Sequence, residues 1–286
     1  MSPTFLAVCL GLLSAVTLAA ANVAVKMGTD ILAGRAILSV SAALLIAPAA
    51  LFVPAPDAAT WNALIWALPV HFGYQLCLVL AMQRGDLSLV FPIMRGSAPL
   101  LTAAAAFLLL GETLPPLALL GLALATAAVI VFAAPPEGFD LRGHPDKAAL
   151  LWALATAVGV ALYNVADARG VRVAPEPLTY IVWLFLLDPI GITVTALLFR
   201  RRELGEVIAA RWRYGVVAGV LSIFSFGSAL YAFSLIETAR VSALRETAVV
   251  FAALMGTRLL REVFAPRRIA AALVLAAGLI LMQFGR

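Results

Sequence analysis

Charge is what this 286-residue chain has least of: Asp, Glu, Lys and Arg together make up 12% of it. A soluble globular domain carries about 25%. With 64% hydrophobic residues and a mean hydropathy of +1.05, the shortage of charge excludes a soluble domain and leaves an integral membrane protein. Cysteine is almost absent. Cys9 and Cys77 both lie in apolar runs, which excludes a disulfide framework and fits no cysteine metal site. Histidine occurs only as His71 and His144. There is no HExxH, no GxSxG and no Asp-rich motif for polyprenyl diphosphates, so no nucleophile, base or metal set marks a membrane-embedded enzyme. The absence of a Walker sequence argues against ATP hydrolysis. The sequence calls for no metal and no cofactor. Net charge is +5, and no basic patch is interleaved with aromatics, so nothing resembles a nucleic-acid footprint.

What the chain has instead is apolar length. A transmembrane helix needs about 20 mostly apolar residues. Ten segments qualify: 4–25, 31–53, 61–83, 87–110, 115–134, 148–168, 177–199, 212–235, 238–260 and 267–284. Residues 1–24 lack the basic start of a signal peptide and read as a mature span. Proline-rich connectors punctuate the series at Pro54-Ala55-Pro56, Pro135-Pro136 and Pro175-Glu176-Pro177. The segments are too long and too continuously apolar for barrel strands, so the fold class is all-α.

One stretch occurs twice. Pro92–Pro116 reads PIMRGSAPLLTAAAAFLLLGETLPP, and Ser242–Pro266 reads SALRETAVVFAALMGTRLLREVFAP. At an offset of 150, Arg95 falls on Arg245, Glu112 on Glu262 and Pro116 on Pro266. Helix 1 (SAVTLAAANVA) matches helix 6 (TAVGVALYNVA), placing Asn22 on Asn164. Five spans per half force the second half upside down, an inverted-topology repeat of the kind transporters build around a midplane site. The expected units are residues 1–135 and 148–286, each a five-helix repeat, joined by a loop over 136–147. Basic residues set the orientation. Odd-numbered loops hold twelve (Lys26, Arg84, Arg142, Lys147, Arg200, Arg201, Arg202, Arg211, Arg213, Arg261, Arg267, Arg268) against four on the other face (Arg169, Arg172, Arg240, Arg286). The positive-inside rule puts the twelve in the cytoplasm and both termini outside.

The helix-4 run ending Gly111-Glu112-Thr113-Leu114, its partner at Arg261-Glu262-Val263-Phe264, and the Gly/Ala-rich tails Leu119–Phe132 and Ile269–Met282 resemble the EamA family of the drug/metabolite transporter superfamily. The resemblance covers essentially the whole chain as two tandem five-helix units. It implies a multi-pass protein of a bacterial-type inner membrane that transports small solutes. Export of amino acids or related metabolites is the commonest activity it implies, and some members of the family act on drugs.

Polar residues deep in apolar runs are the candidate site. Arg95 lies about eight residues into helix 4, roughly 12 Å deep at 1.5 Å per residue. Arg245 has a similar depth in helix 9. A charge there is expensive and must face the bundle interior or a wet cavity. Two readings stand side by side. Arg95 and Arg245 could clamp a substrate anion, because the guanidinium fork matches carboxylate or phosphate. They could equally be locked in buried salt bridges, with Asp188 and Glu246 as counter-ions. Asp188 precedes Pro189, which breaks a helical ladder and makes Asp188 a candidate ion or proton site. Glu246 and His71 are the other proton-coupling candidates. His71, Tyr74 and Gln75 share one face of helix 3, and Ser222, Ser225 and Ser228 repeat that stripe in helix 8 at an offset of about 151. Asn22, Asn164, Tyr163 and Trp183 complete the expected pocket. Glu112 and Glu262 are expected to favour the N-termini of helices 5 and 10.

These residues point to a secondary transporter working by alternating access around a midplane cavity, with lipid and a small-molecule substrate as its partners. Amino acids are the first substrate class, and drugs or organic anions, phosphorylated metabolites included, the alternative. Protons are candidate coupling ions. Ten spans suffice for a self-contained monomer.

Overall fold

The computed structural model describes residues 2–26, 30–84, 87–133, 147–251, 254 and 266–285; for 22–26, 87–92, 133, 207 and 211 it describes the backbone alone. Most of the expected connecting loop, with His144, lies outside the described residues, as do Arg261 and Glu262. The described chain is helical, without strands. Eight of its helical segments are long and apolar enough to cross a bilayer, and Pro116–Phe132 is a shorter apolar helix.

The first half runs α1 (Pro3–Lys26), α2 (Ile31–Ile46), α3 (Ala58–Arg84), α4 (Leu87–Leu110) and α5 (Pro116–Ala133). The second runs α6 (Lys147–Val173), α7 (Pro177–Leu187), α8 (Pro189–Phe199), α9 (Arg201–Ser222), α10 (Ser228–Phe233), α11 (Thr238–Arg245) and α12 (Pro266–Phe284). Local chemistry sets the boundaries. Asp30 caps α2 through the Ala33 N–H at 2.7 Å, and Asp57 caps α3 through the Thr60 N–H at 2.8 Å and hydroxyl at 2.7 Å. The Thr60 hydroxyl, followed by its N–H, holds the Asp57 carboxyl below its ordinary range. Gly111 follows α4 with φ +68°, the left-handed geometry that ends a helix without a Cβ penalty.

Four expected spans depart from a single straight helix. Span 2 tightens into a 3-10 turn at Ala47–Leu51, with Pro48 at its start. Span 7 is divided into α7 and α8 at Asp188, because Pro189 brings no N–H to the ladder. Span 8 begins earlier than its apolar window. α9 starts at Arg201, in a polar turn carrying the Arg202–Glu206 pair, and is separated from α10 by a π-helical turn over Ile223–Gly227. Span 9 was expected to be continuous. It is broken instead after Arg245, where Glu246, Thr247, Val249 and Val250 donate to carbonyls three residues back.

Close packing is achieved with glycine. A Cβ on Gly121 of α5 would lie 2.5 Å from the Gly278 carbonyl oxygen of α12, and one on Gly278 would lie 2.8 Å from the Gly121 carbonyl. The two backbones are therefore in direct contact, as small residues allow in lipid. α2 lies on α9 in the same way, with Gly215 against Ile37 and Gly219 against Ser41 and the Ala42 backbone. At the 151-residue offset, Gly215 and Gly219 correspond to Leu64 and Leu68 of α3. α7 and α8 accordingly meet α3 more sparingly than α2 meets α9. α6 packs along α3 and α4, while α1 packs along α9, the π turn, α10 and α11. α6 is thus central, and its buried face carries Tyr163, Asn164 and Asp167.

Gly121→Val forces a branched side chain into the Gly278 backbone. The expected cost is about 1–3 kcal/mol, read as a lower unfolding temperature of the detergent-solubilised protein; an unchanged transition would contradict the backbone contact.

Candidate functional site

Arg95 on α4 reaches the break in span 9. Its Nε lies 3.1 Å from Glu246 Oε2, and its Nη2 donates to the Arg245 carbonyl oxygen at 3.4 Å. Glu246 is 3% exposed. The pair joins a helix of the first half to the broken helix of the second, and it neutralises one arginine only. Arg245 is 7% exposed. Its guanidinium carbon lies 5.6 Å from the centre of the Phe226 ring, and its Nε has no hydrogen-bond partner. The break places this donor, because the turn at Glu246-Thr247 ends α11 with Arg245 as its last residue.

A second cluster forms around His71 on α3. His71 Nε2 lies 3.0 Å from Asp167 Oδ1 and 3.1 Å from Oδ2. Its Nδ1 lies 3.7 Å from Asp188 Oδ1. Tyr180 donates its hydroxyl to Asp167 Oδ1 at 2.9 Å, and Gln75 donates to both Asp188 oxygens at 3.2 Å. Asp188 was a candidate counter-ion for Arg95 or Arg245. It pairs with neither among the described contacts; at the break before Pro189 it meets His71 and Gln75 of α3 instead. Arg35 of α2 acts electrostatically on both His71 and Asp188.

Aromatic rings join the two clusters. Tyr163 stacks on His71 with centroids 4.8 Å apart and meets Tyr74 at 4.8 Å. Phe226, in the π turn, lies edge-on to His71 at 5.6 Å and to Tyr163 at 5.9 Å. The same ring lies beneath Arg245. A π turn inserts an extra residue per turn and re-aims side chains, often where function resides. Beside the rings, Asn164 donates to Thr102 Oγ1 at 3.2 Å and Ser242 Oγ at 3.3 Å, tying α6 to α4 and α11.

Not every expected pocket residue joins these clusters. Trp183 packs edge-on against Trp61 with centroids 5.4 Å apart, and its contacts belong to the α3–α7 core. Ser225 donates to the Ser14 carbonyl at 3.0 Å and pins the π turn to α1. The Asn22 side chain lies outside the described residues. Glu112 was expected to favour the start of the following helix, α5. It caps α11 instead, accepting from the Thr238 N–H and hydroxyl, both at 2.8 Å. Gly111 swings it there, and Arg172 Nη1 holds it at 2.6 Å.

Asp167 and Arg35 are the charged residues that sequence reasoning missed. The expected end of span 6 at residue 168 placed Asp167 at the interface. The helix continues to Val173, so Asp167 is wholly buried. Its spacing of three from Asn164 was the available signal, because the two share a helix face.

Arg95→Ala should destabilise the protein by about 3–5 kcal/mol, because it leaves Glu246 buried and unpaired. Arg95→Ala/Glu246→Ala should recover part of that loss in the same detergent unfolding assay. Equal melting of the single variant and wild type would show that the pair contributes nothing.

Residues 147–284 match the model of the EamA-like transporter family. Curated protein sequences give no match. A solved crystal structure of a protein aligns over 98% of this chain and 97% of its own length, with a TM-score of 0.75 and 19% identity, and so shows the same fold. The second half of the chain, where the Arg245–Glu246 break, the Asp167 face and the π turn all lie, is thus similar to the EamA-like transporter family.

Proposed function

We propose that the protein moves small zwitterionic metabolites, amino acids above all, out of the cell by alternating access around the chamber between Arg245 and His71. The observation that carries this reading is the buried guanidinium of Arg245, whose Nε has no hydrogen-bond partner. Arg95 is committed to Glu246, whereas Arg245 retains donors of the geometry that a carboxylate accepts. Its cluster sets two guanidiniums against one carboxylate. The His71 cluster leans the other way, with Asp167 and Asp188 around one imidazole. An α-amino acid carries the complementary pair of charges. Its carboxylate fits the Arg245 side and its ammonium the Asp188 side, with Tyr163 and Phe226 forming the wall between.

The two five-helix units, residues 1–135 and 148–286, are the bodies that move. Both clusters are assembled across the halves: Arg95 with Glu246, and His71 with Asp167 and Asp188. Relative motion of the halves therefore changes both at once. The basic odd-numbered loops lie in the cytoplasm and the termini outside, in a bacterial-type inner membrane, with one chain forming the transporting unit.

Arg245→Ala, and even Arg245→Lys, should reduce counterflow of radiolabelled L-amino acids in proteoliposomes at least about tenfold, with the unfolding temperature little changed. A lysine keeps the charge and loses the fork. Full counterflow by Arg245→Ala would overturn the carboxylate site, and a wild-type protein inert to the whole amino-acid panel would overturn the substrate class.

A further inference from the structure

His71 is held between two carboxylates on opposite sides of its ring. Nε2 faces Asp167 at 3.0 Å and Nδ1 faces Asp188 at 3.7 Å. A neutral imidazole has one N–H and one lone pair, so it can donate to only one of them and presents a lone pair to the other. Only the imidazolium offers N–H donors to both. The surroundings make the two sides unequal. Asp167 is wholly buried, anchored by the Tyr180 hydroxyl at 2.9 Å, and in contact with Nε2 through both oxygens. It fixes the proton on Nε2 in either state. Asp188 stands at the break between α7 and α8 and is held by Gln75 from α3. The proton on Nδ1 is the exchangeable one.

We propose that His71 is a proton-binding site. It loses its Nδ1 proton to water on the side to which the chamber is open when the ammonium group of a solute takes the place beside Asp188, so that one proton is exchanged for one solute. Charge balances at the His71 cluster, where the ammonium brings the single positive charge that the imidazolium gives up; the zwitterion as a whole is neutral, so each exchange moves one net charge. The groups facing His71 are Asp167 and Tyr163 from α6, Tyr180 from α7, Asp188 at the α7–α8 break, and Arg35 from α2. With His71 neutral, two carboxylates face one guanidinium. With His71 protonated, the cluster is balanced.

The geometry also says what the proton does mechanically. His71 stands on α3, Asp167 on α6, and Asp188 beside the α7–α8 break. The imidazolium therefore ties three spans together at one ring. α3 and α7 also share an apolar core of Ala63, Leu64 and Ala67 with Tyr180, Ile181 and Leu184, so the polar tie at the ring lies beside side-chain packing rather than the backbone contact that joins α2 to α9. Deprotonation without an ammonium in place leaves two carboxylates on either side of a ring that can donate to only one of them. Asp188, at the helix break, is the partner free to swing away. Binding of solute or proton thus holds Asp188 against α3, and loss of both releases it.

The exchange of proton for solute rests on the substrate class proposed above; the proton site does not. The test is solution NMR of the full chain in lipid nanodiscs with [15N]histidine in a His144→Gln background, which leaves His71 as the single histidine. The expected spectrum shows both ring nitrogens protonated at low pH and a single Nε2–H tautomer at high pH. Asp188→Asn should lower the midpoint by about one pH unit or more, because a neighbouring negative charge is lost. A ring that stays neutral from about pH 5 to about pH 9, or a midpoint unmoved by Asp188→Asn, overturns the proton site. The exchange is read separately, in proteoliposomes loaded with a pH dye and given the mixture of twenty L-amino acids. Wild type should move protons against the amino acids, and His71→Gln should lose that movement. Amino-acid transport with no counter-movement of protons overturns the exchange, while the NMR midpoint still decides the site. A wild type inert to the mixture refutes the substrate class and with it the exchange, again leaving the NMR result to stand on its own.

Discussion

A charge in the middle of a bilayer must find its opposite within the protein, and that demand arranges the centre of this molecule. Lipid supplies neither water nor counter-ions, and removing one partner of a buried pair leaves a charge with nowhere to go. The pairing is done across helices rather than along them. Arg95 of α4 meets Glu246 at the break in span 9. His71 of α3 meets Asp167 of α6 and Asp188 beside α8. Each pair is also a tie between segments, so the electrostatics and the architecture are the same contacts. Pairing is incomplete at Arg245, whose Nε has no hydrogen-bond partner.

Irregular backbone is the second ingredient. Spans 7, 8 and 9 each depart from the α-helix, at Asp188–Pro189, at the π turn and at Glu246–Thr247. Each departure sits at a residue of the two joined clusters: Asp188, Phe226 and Arg245. Breaks of this kind survive in a membrane only where protein or a wet cavity satisfies the freed backbone. All three lie in the second half, so the two halves are not equally irregular, although the doubled sequence would suggest it.

Much of this was legible before any coordinates. Apolar run length located eight membrane-length helices and the shorter apolar α5 among the described residues, because the bilayer imposes a length that composition reveals. The doubled stretch brought out Arg95 and Arg245, because a charge in such a run has no neutral explanation. The i, i+3, i+4 spacing put His71, Tyr74 and Gln75 on one face. What stayed hidden was pairing. Asp188 could be assigned to either arginine until the direction of the α7–α8 break was known. Asp167 sat too close to an expected helix end to be counted as buried, and only the extra turn of α6 to Val173 brings it inside. The break after Arg245 has no proline or glycine to announce it; three polar residues in succession were its only trace. Glu112 was misdirected for a similar reason. Its sequence neighbour is α5, but the left-handed Gly111 delivers it to α11.

The glycines of α9 and the leucines of α3 at the matching positions bear on the resting shape of the molecule. Gly215 and Gly219 let α2 settle backbone to backbone on α9, while at the corresponding seam Leu64 and Leu68 fill an apolar core shared with α7. Two like halves joined by equal seams would meet alike on both edges. Four residues remove that equality, two by lacking a side chain and two by having one. One seam is drawn tight by backbone contact and the other is filled by apolar side chains, so the difference between the edges is written in methylene groups rather than in charges.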